Sequence, residues 1–166
     1  MATQFRIRPA QEHEVADVVR FIRLLAEYEK MLDEVAATDE EIRQSVFVRH
    51  EAEVVFAEEA EDGGEFMKVG FALFFHNFST FVGHKGLYLE DLFVLPEKRG
   101  RGYGKALLKH LASIAIERGC GRMEWVCLDW NKPSIDFYKS IGAVPMDEWT
   151  IYRLDENALH DFLRKL

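Results

Sequence analysis

Apolar residues recur along this chain with two periods, and the switches between them divide it into elements. Residues 4–9, QFRIRP, alternate in polarity as a short strand that Pro9 closes. Val15, Val18, Val19, Ile22, Leu25 and Ala26 then recur at three- and four-residue spacing, which predicts an amphipathic helix to about Lys30. Thr38 followed by Glu41 has the form of a capping box and starts a second short helix through EEIRQSVF. The runs AEVVFAEEA and EFMKVGFALFFHNFS are β-rich and joined by EDGG, the composition of a hairpin turn. GLYLEDLFVLP is the most hydrophobic strand pattern, interrupted by the adjacent acids Glu90 and Asp91.

GKALLKHLASIAIERG returns to the helical period and ends at Gly119. GRMEWVCLDW reads as another strand, and Asn131-Lys132-Pro133-Ser134 opens a short helix that stops at Gly142. WTIYRL predicts a last strand and DENALHDFLRKL a terminal amphipathic helix. No Pro/Gly/Ser-rich linker, repeat or low-complexity tract divides the chain. The expectation is one α/β (α+β) domain over residues 1–166, with strands clustered mid-chain in a mixed sheet.

Composition sharpens this. At 166 residues and 48% hydrophobic, the chain can bury a single core. A net charge of -8 argues against nonspecific binding to nucleic acid or an anionic membrane and favours a cationic partner. Seven acids and no base lie between Glu51 and Glu65, which reads as a solvated sheet edge. No run approaches the roughly 18 apolar residues of a spanning helix, and the N-terminus lacks a basic-then-apolar leader, so the expected location is cytoplasmic. Cys120 and Cys127 are not spaced as a redox or zinc pair and are expected to be reduced, buried thiols. His13-Glu14 begins like HExxH, but Asp17 stands where the second histidine belongs, so no metal site is expected.

The chemistry concentrates in PEKRGRGYGKALL, residues 96–108. A strand, a glycine-rich turn and then a helix place free backbone N–H groups and a positive helix end at one spot, which suits phosphate. Walker A fails, because Arg99 stands where its first glycine belongs and Ala106 follows Lys105. GxGxxG fails from either Gly100 or Gly102, which would require glycine at Lys105 or Leu107. R/QxxGxG/A fits, as Arg99, Gly102 and Gly104.

That motif resembles the acetyl-CoA site of the GNAT acyltransferase superfamily. LYLEDLFV before it, LDWNKPSIDFYKSIGA after it and EYEK in the first helix resemble the spermidine/spermine (diamine) N-acetyltransferase branch, a likeness running from FRIRPA to about Trp149. The resemblance implies a GNAT-like, mostly antiparallel sheet flanked by helices. It also implies acetyl-CoA as co-substrate, no metal, and a homodimer, to which WTIYRL would add strand contacts. Leu92, Phe93 and Val94 would bond the pantetheine amides through their backbone. Arg99, Gly100, Arg101, Gly102, Tyr103, Gly104 and Lys105 would hold the pyrophosphate. Asn131, Pro133 and Ser134 would line the far side of the coenzyme channel, with Tyr138 beside the sulfur. On the amine side the resemblance points to Tyr28, Glu29, Glu90, Glu124, Trp125 and Val126. The tail departs from the family pattern: Asp147-Glu148-Trp149 stands in a shorter segment, and the loop HNFSTFVGHKG also differs.

Acetyl transfer to an amine requires a neutral nitrogen, a polarised carbonyl and a proton for the leaving thiolate. Tyr138 can supply the proton: a phenol near pKa 10 and a thiol near 8.5 differ by roughly 2 kcal/mol. Its alternative role is a core aromatic between a buried Phe137 and Ile141. Glu90 is either the partner of Arg99 or Lys98 in a strand-end ion pair or a substrate group. A carboxylate near pKa 4 lies about six units below an alkylammonium, on the order of 8 kcal/mol against direct proton abstraction. A carboxylate touching an ammonium also stabilises its charge. These acids therefore suit a distal ammonium, and Glu90 acts through substrate charge and ordered water. The first reading is acetylation of a small polyamine-like amine. Thialysine or another diamino acid, an antibiotic amine, a protein lysine and a noncatalytic acetyl-CoA sensor are the alternatives.

Overall fold

The computed structural model describes residues 2–165. It falls into two compact units that meet in the sequence between Val126 and Cys127. In the first, strand β1 (Thr3–Pro9) leads through a single 3-10 turn into helix α1 (Val15–Tyr28). The short helix α2 (Asp39–Ile42) follows, with strands β2 (Glu53–Glu61), β3 (Met67–Ser79) and β4 (His84–Val94) after it. Helix α3 (Tyr103–Glu117) and the two-residue strand β5 (Met123–Glu124) complete the unit. The sheet order is β1-β2-β3-β4-β5, antiparallel throughout except for the parallel β4/β5 pair. This is the mixed, mostly antiparallel sheet expected.

Two faces of the sheet are covered because two helices each carry one apolar stripe. On one face Val18 and Phe21 of α1 pack on Phe56, Phe71, Leu73 and Phe93, with the Phe21 ring 5.3 Å from that of Phe71. Helix α3 buries Leu107, Leu108, Leu111 and Ala115. The Thr38 capping box forms as read: Glu41 N–H donates to Thr38 Oγ1, and Thr38 N–H donates to the Glu41 carboxylate at 2.8 Å. Beyond Ile42, however, the backbone widens into a π-helical turn over Arg43–Val48 in place of the continuous helix expected.

The acidic run is not a sheet edge, and although Glu51, Glu61, Asp62 and Glu65 are exposed as expected, the acids at its centre are buried. Strand β2 lies between β1 and β3, and Glu58 and Glu59 are 2% and 3% exposed. Successive strand residues point to opposite faces, so the two carboxylates meet different cations. Glu58 accepts from Arg6 Nε at 2.7 Å and Arg8 Nη2 at 2.6 Å, while Glu59 is paired with Lys98. The missing bases lie far away in sequence. HNFSTFVGHKG is likewise no open loop, for β3 runs to Ser79 and β4 starts at His84, pairing with it.

The second unit contains α4 (Lys132–Ser140) and α5 (Glu156–Arg164), each begun by a side-chain cap, Asn131 and Asp155. WTIYRL forms no strand, because residues 149–154 have no ladder partner among the described residues, and a strand exists only by pairing. For the same reason GRMEWVCLDW contributes only Met123–Glu124. Cys120 and Cys127 are free thiols, but half-buried and not buried. No described helix is long and apolar enough to cross a membrane.

Candidate functional site

The centre of the first unit is a defect in the sheet. Leu73 pairs with Asp91 and Phe74 with Leu89, which leaves Glu90 as an extra residue in β4, a β-bulge. The β4/β5 ladder covers only Leu87–Met123 and Tyr88–Glu124, whereas β4 runs on to Val94. From Leu89 to Val94 the edge of β4 away from β3 therefore has no strand partner among the described residues. Alternate residues there direct N–H and C=O outward, ready for an extended ligand. Leu92, Phe93 and Val94 lie on this stretch. Arg99 Nε already donates to the Val94 carbonyl at 3.0 Å.

The bulge shifts the face on which the side chains before and after it point. Asp91 consequently lies on the α1 side, lining a pocket of about 180 Å³ with Leu25, Ala26, Glu29, Glu34 and Met31. Burial, then the charges of Glu90 and Glu29, push the Asp91 carboxyl up to about 7. Burial and Glu90 raise Glu29, and burial followed by Glu90 and Glu124 raises the Tyr88 phenol. None of Glu29, Glu90 and Asp91 forms an ion pair or hydrogen bond with a cation among the described residues. The alternative ion pair for Glu90 does not form: Lys98 is taken by Glu59, and the Arg99 guanidinium lies 5.1 Å from the ring centres of both Tyr28 and Phe93. Asn77 Nδ2 donates to Glu124 at 3.4 Å, and the adjoining Trp125 is half-buried and Val126 exposed. Asp91 was not among the residues to which the resemblance pointed; its sequence signal was its place beside Glu90, but only the bulge reveals its face.

The glycine-rich turn ends β4's excursion. Gly100 and Gly102 have φ of +77° and +83°, and Gly102 is the N-cap of α3. The first helical bond runs from Ala106 N–H to the Gly102 carbonyl, so the amides of Tyr103, Gly104 and Lys105 have no helical acceptor. The Tyr103 ring is a packing residue, stacked 4.4 Å from Phe5, and only its main chain can serve a ligand. A Cβ on Gly104 would come no closer than 4.0 Å to Leu92 and Val94. The protein's own packing does not require a glycine in this first turn, where it costs about 1 kcal/mol relative to alanine. Lys105 is exposed.

Within the second unit, Asn131 caps α4 by accepting from Ser134 N–H, Pro133 occupies its first turn, and Tyr138 lies on the same helix with its ring 5.8 Å from Phe137. Phe137 and Tyr138 are half-buried and Ile141 is 39% exposed, which corrects the buried pair expected around Tyr138. A nine-residue helix with no fully buried residue has no core stripe to hide them in.

Residues 18–143 match the model of the acetyltransferase (GNAT) family. The chain is 36% identical over 168 aligned residues to the thialysine N-epsilon-acetyltransferase of Sus scrofa, covering 96% of this chain and 97% of that one. It is 32% identical over 164 residues to the spermidine/spermine N(1)-acetyltransferase-like protein 1 of Homo sapiens, covering 95% of this chain but 23% of that protein. Among solved structures, an integron cassette protein from the mobile metagenome of V. cholerae superposes with a TM-score of 0.76 at 31% identity, over 96% of this chain and 98% of its own. An open β4 edge, a helix N-terminus with unpaired amides and relatives that transfer acetyl groups thus agree: the chain belongs to the GNAT family of acetyltransferases and is an acetyl-transferring enzyme.

Proposed function

We propose that this enzyme transfers the acetyl group of acetyl-CoA to a primary amine of a small substrate that carries a second cationic nitrogen. The observation that carries the reading is the set Glu29, Glu90 and Asp91, three carboxylates gathered at the sheet bulge with no cation among the described residues to pair with them. Leaving such a cluster unneutralised is costly, and an ammonium ion relieves it. The coenzyme's diphosphate fits the amides of Tyr103, Gly104 and Lys105, and Gly104 lets a ligand approach where a side chain would stand. The pantetheine amides fit the open edge at Leu92–Val94. The family match runs continuously across both units, which supports reading residues 1–166 as one catalytic domain.

The acids hold the distal ammonium and do not deprotonate the reacting one, because a carboxylate in contact with an ammonium stabilises its charged form. Tyr138 carries the resemblance's role of proton donor to the departing thiolate. A thiolate is already a tolerable leaving group near neutral pH, so the donor contributes at or below the low end of general acid catalysis. Tyr138→Phe is expected to lower kcat about tenfold, with the dissociation constant for acetyl-CoA unchanged; equal kcat in stopped assays of both proteins removes the acid role.

Among substrates with two nitrogens, a diamino acid of the thialysine type now precedes a polyamine, reversing the first reading from sequence. Relatives matched over nearly their full length in pig and cattle carry that activity by name. The noncatalytic sensor is set aside by the acetyltransferase relatives. A thiol-release screen with acetyl-CoA against thialysine, lysine, ornithine, spermidine, spermine and putrescine tests the class. Turnover is expected with thialysine first. Release with none of the six overturns the reading. The homodimer implied by the resemblance is proposed without the WTIYRL strand, and light scattering should report twice the chain mass.

A further inference from the structure

Beneath the anion-binding turn lies a buried negative charge that acetyl transfer does not call for. Glu59 has three partners among the described residues. Tyr103 Oη donates to it at 2.5 Å, Lys98 Nζ is paired with it, and Arg101 Nη1 reaches it at 3.3 Å. Burial alone would raise this carboxyl, but Lys98, Tyr103 and Arg101 outweigh it and hold the group below the usual carboxylate range.

The three contacts are not equivalent. Tyr103 is buried and stacked face to face on Phe5, and the Lys98 side chain is three-quarters covered. Arg101 is 44% exposed, and its contact is longer than the roughly 2.7–2.9 Å of a good charge-assisted bond. If Arg101 leaves, the carboxylate keeps an ammonium and a hydroxyl and is not orphaned. Of the turn's other cations, Arg99 is already engaged with Val94, Tyr28 and Phe93, and Lys98 with Glu59. Arg101 and the exposed Lys105 remain for a diphosphate.

We infer that Glu59 is an internal counterion of the diphosphate turn, holding Arg101 while the turn is empty and yielding it when the coenzyme arrives. The inference rests on the reading of this turn as the acetyl-CoA site. Glu59 is a positioning residue: it touches no reacting atom, and acts by setting what Arg101 must give up to bind phosphate. The coenzyme therefore binds against a competitor built into the sheet, which favours release of CoA after transfer.

Glu59→Gln keeps an acceptor for the Tyr103 hydroxyl and removes the charge. Calorimetry with CoA is expected to show binding about tenfold tighter than wild type, together with a lower melting temperature of the empty protein, since Lys98 loses its partner. In an Arg101→Gln background the same exchange should change CoA affinity by less than about twofold. A merely structural Glu59 would weaken binding on removal. Weaker or unchanged binding in Glu59→Gln, or a gain undiminished without Arg101, overturns the counterion role alone. Absence of CoA binding by the wild type overturns both this role and the reading of the turn. Should Glu59→Gln not fold, nitrogen-15 arginine spectra of the wild type decide: the Arg101 Nε–H signal must move on saturation with CoA, and a stationary signal ends the proposal.

Discussion

Gly102→Val is expected to raise the dissociation constant for acetyl-CoA by about 10²-fold or more while leaving a folded protein. Gly102 caps α3 at φ +83°, ψ 8°, in the left-handed region. An L side chain there costs roughly 1–2 kcal/mol, and a β-branched one more. Nothing lies within 4 Å of the added Cβ, so no clash with the rest of the protein adds to this. The turn relieves the strain by rotating its own backbone, and that rotation re-aims the amides of Tyr103, Gly104 and Lys105. Each bond from such an amide to a charged phosphate is worth about 1.5–3 kcal/mol, so losing two accounts for the predicted change. Gly119→Val is the control. It too has a positive φ, +72°, with nothing near its Cβ, but it lies at the other end of α3, roughly 22 Å away along a 15-residue helix. Both variants should melt a few degrees lower, and only Gly102→Val should lose the coenzyme in calorimetry. Equal affinities in the two would falsify the assignment of the turn.

Asp91→Asn is expected to stabilise the protein at pH 8 and leave its stability unchanged at pH 4. The Asp91 carboxyl is raised from 3.8 to about 7 by burial and by Glu90 and Glu29. Between those values the folded state binds the proton and the unfolded chain does not, so stability falls as pH rises and the full cost is present above about 7. A shift of about three units corresponds to about 4 kcal/mol at most, and loss of the carboxylate should recover roughly 2–4 of it. In thermal melts that is roughly 5–15 °C at pH 8. The same variant should bind the cationic substrate more weakly above pH 7, because the ammonium that neutralises this site has lost a carboxylate. A melting temperature that does not depend on pH differently in the two proteins removes the argument. The opposite signs for stability and binding are those of a site strained for its ligand.

Much of this was legible in the chain. The 3.6-residue spacing from Val15 to Ala26 located α1, Thr38 and Glu41 located the cap of α2, and EDGG located the β2/β3 turn. These are local signals, set by neighbours within one helical turn or one hairpin. Gly100 and Gly102 marked the start of α3 for the same reason, since left-handed backbone at a helix N-cap is a property of a few consecutive residues.

Pairing is not local. WTIYRL has a strand's composition and no strand's structure, because no neighbouring chain segment supplies its hydrogen bonds among the described residues. Glu58 and Glu59 looked solvated because their counterions, Arg6, Arg8, Lys98 and Arg101, stand 39 to 52 residues away in sequence. Asp91 was hidden by one extra residue in a ladder, which moves it to the α1 side, and register is fixed only when β3 and β4 meet.

By itself the sequence determined the main helices, the four long strands and the glycine turn, since backbone preference and periodicity act over a few residues. Only the tertiary structure decided which carboxylates are buried, which cation answers each, and which three at the bulge have no cation among the described residues. Burial and charge pairing are properties of groups brought together by folding, and distance along the chain carries no information about them.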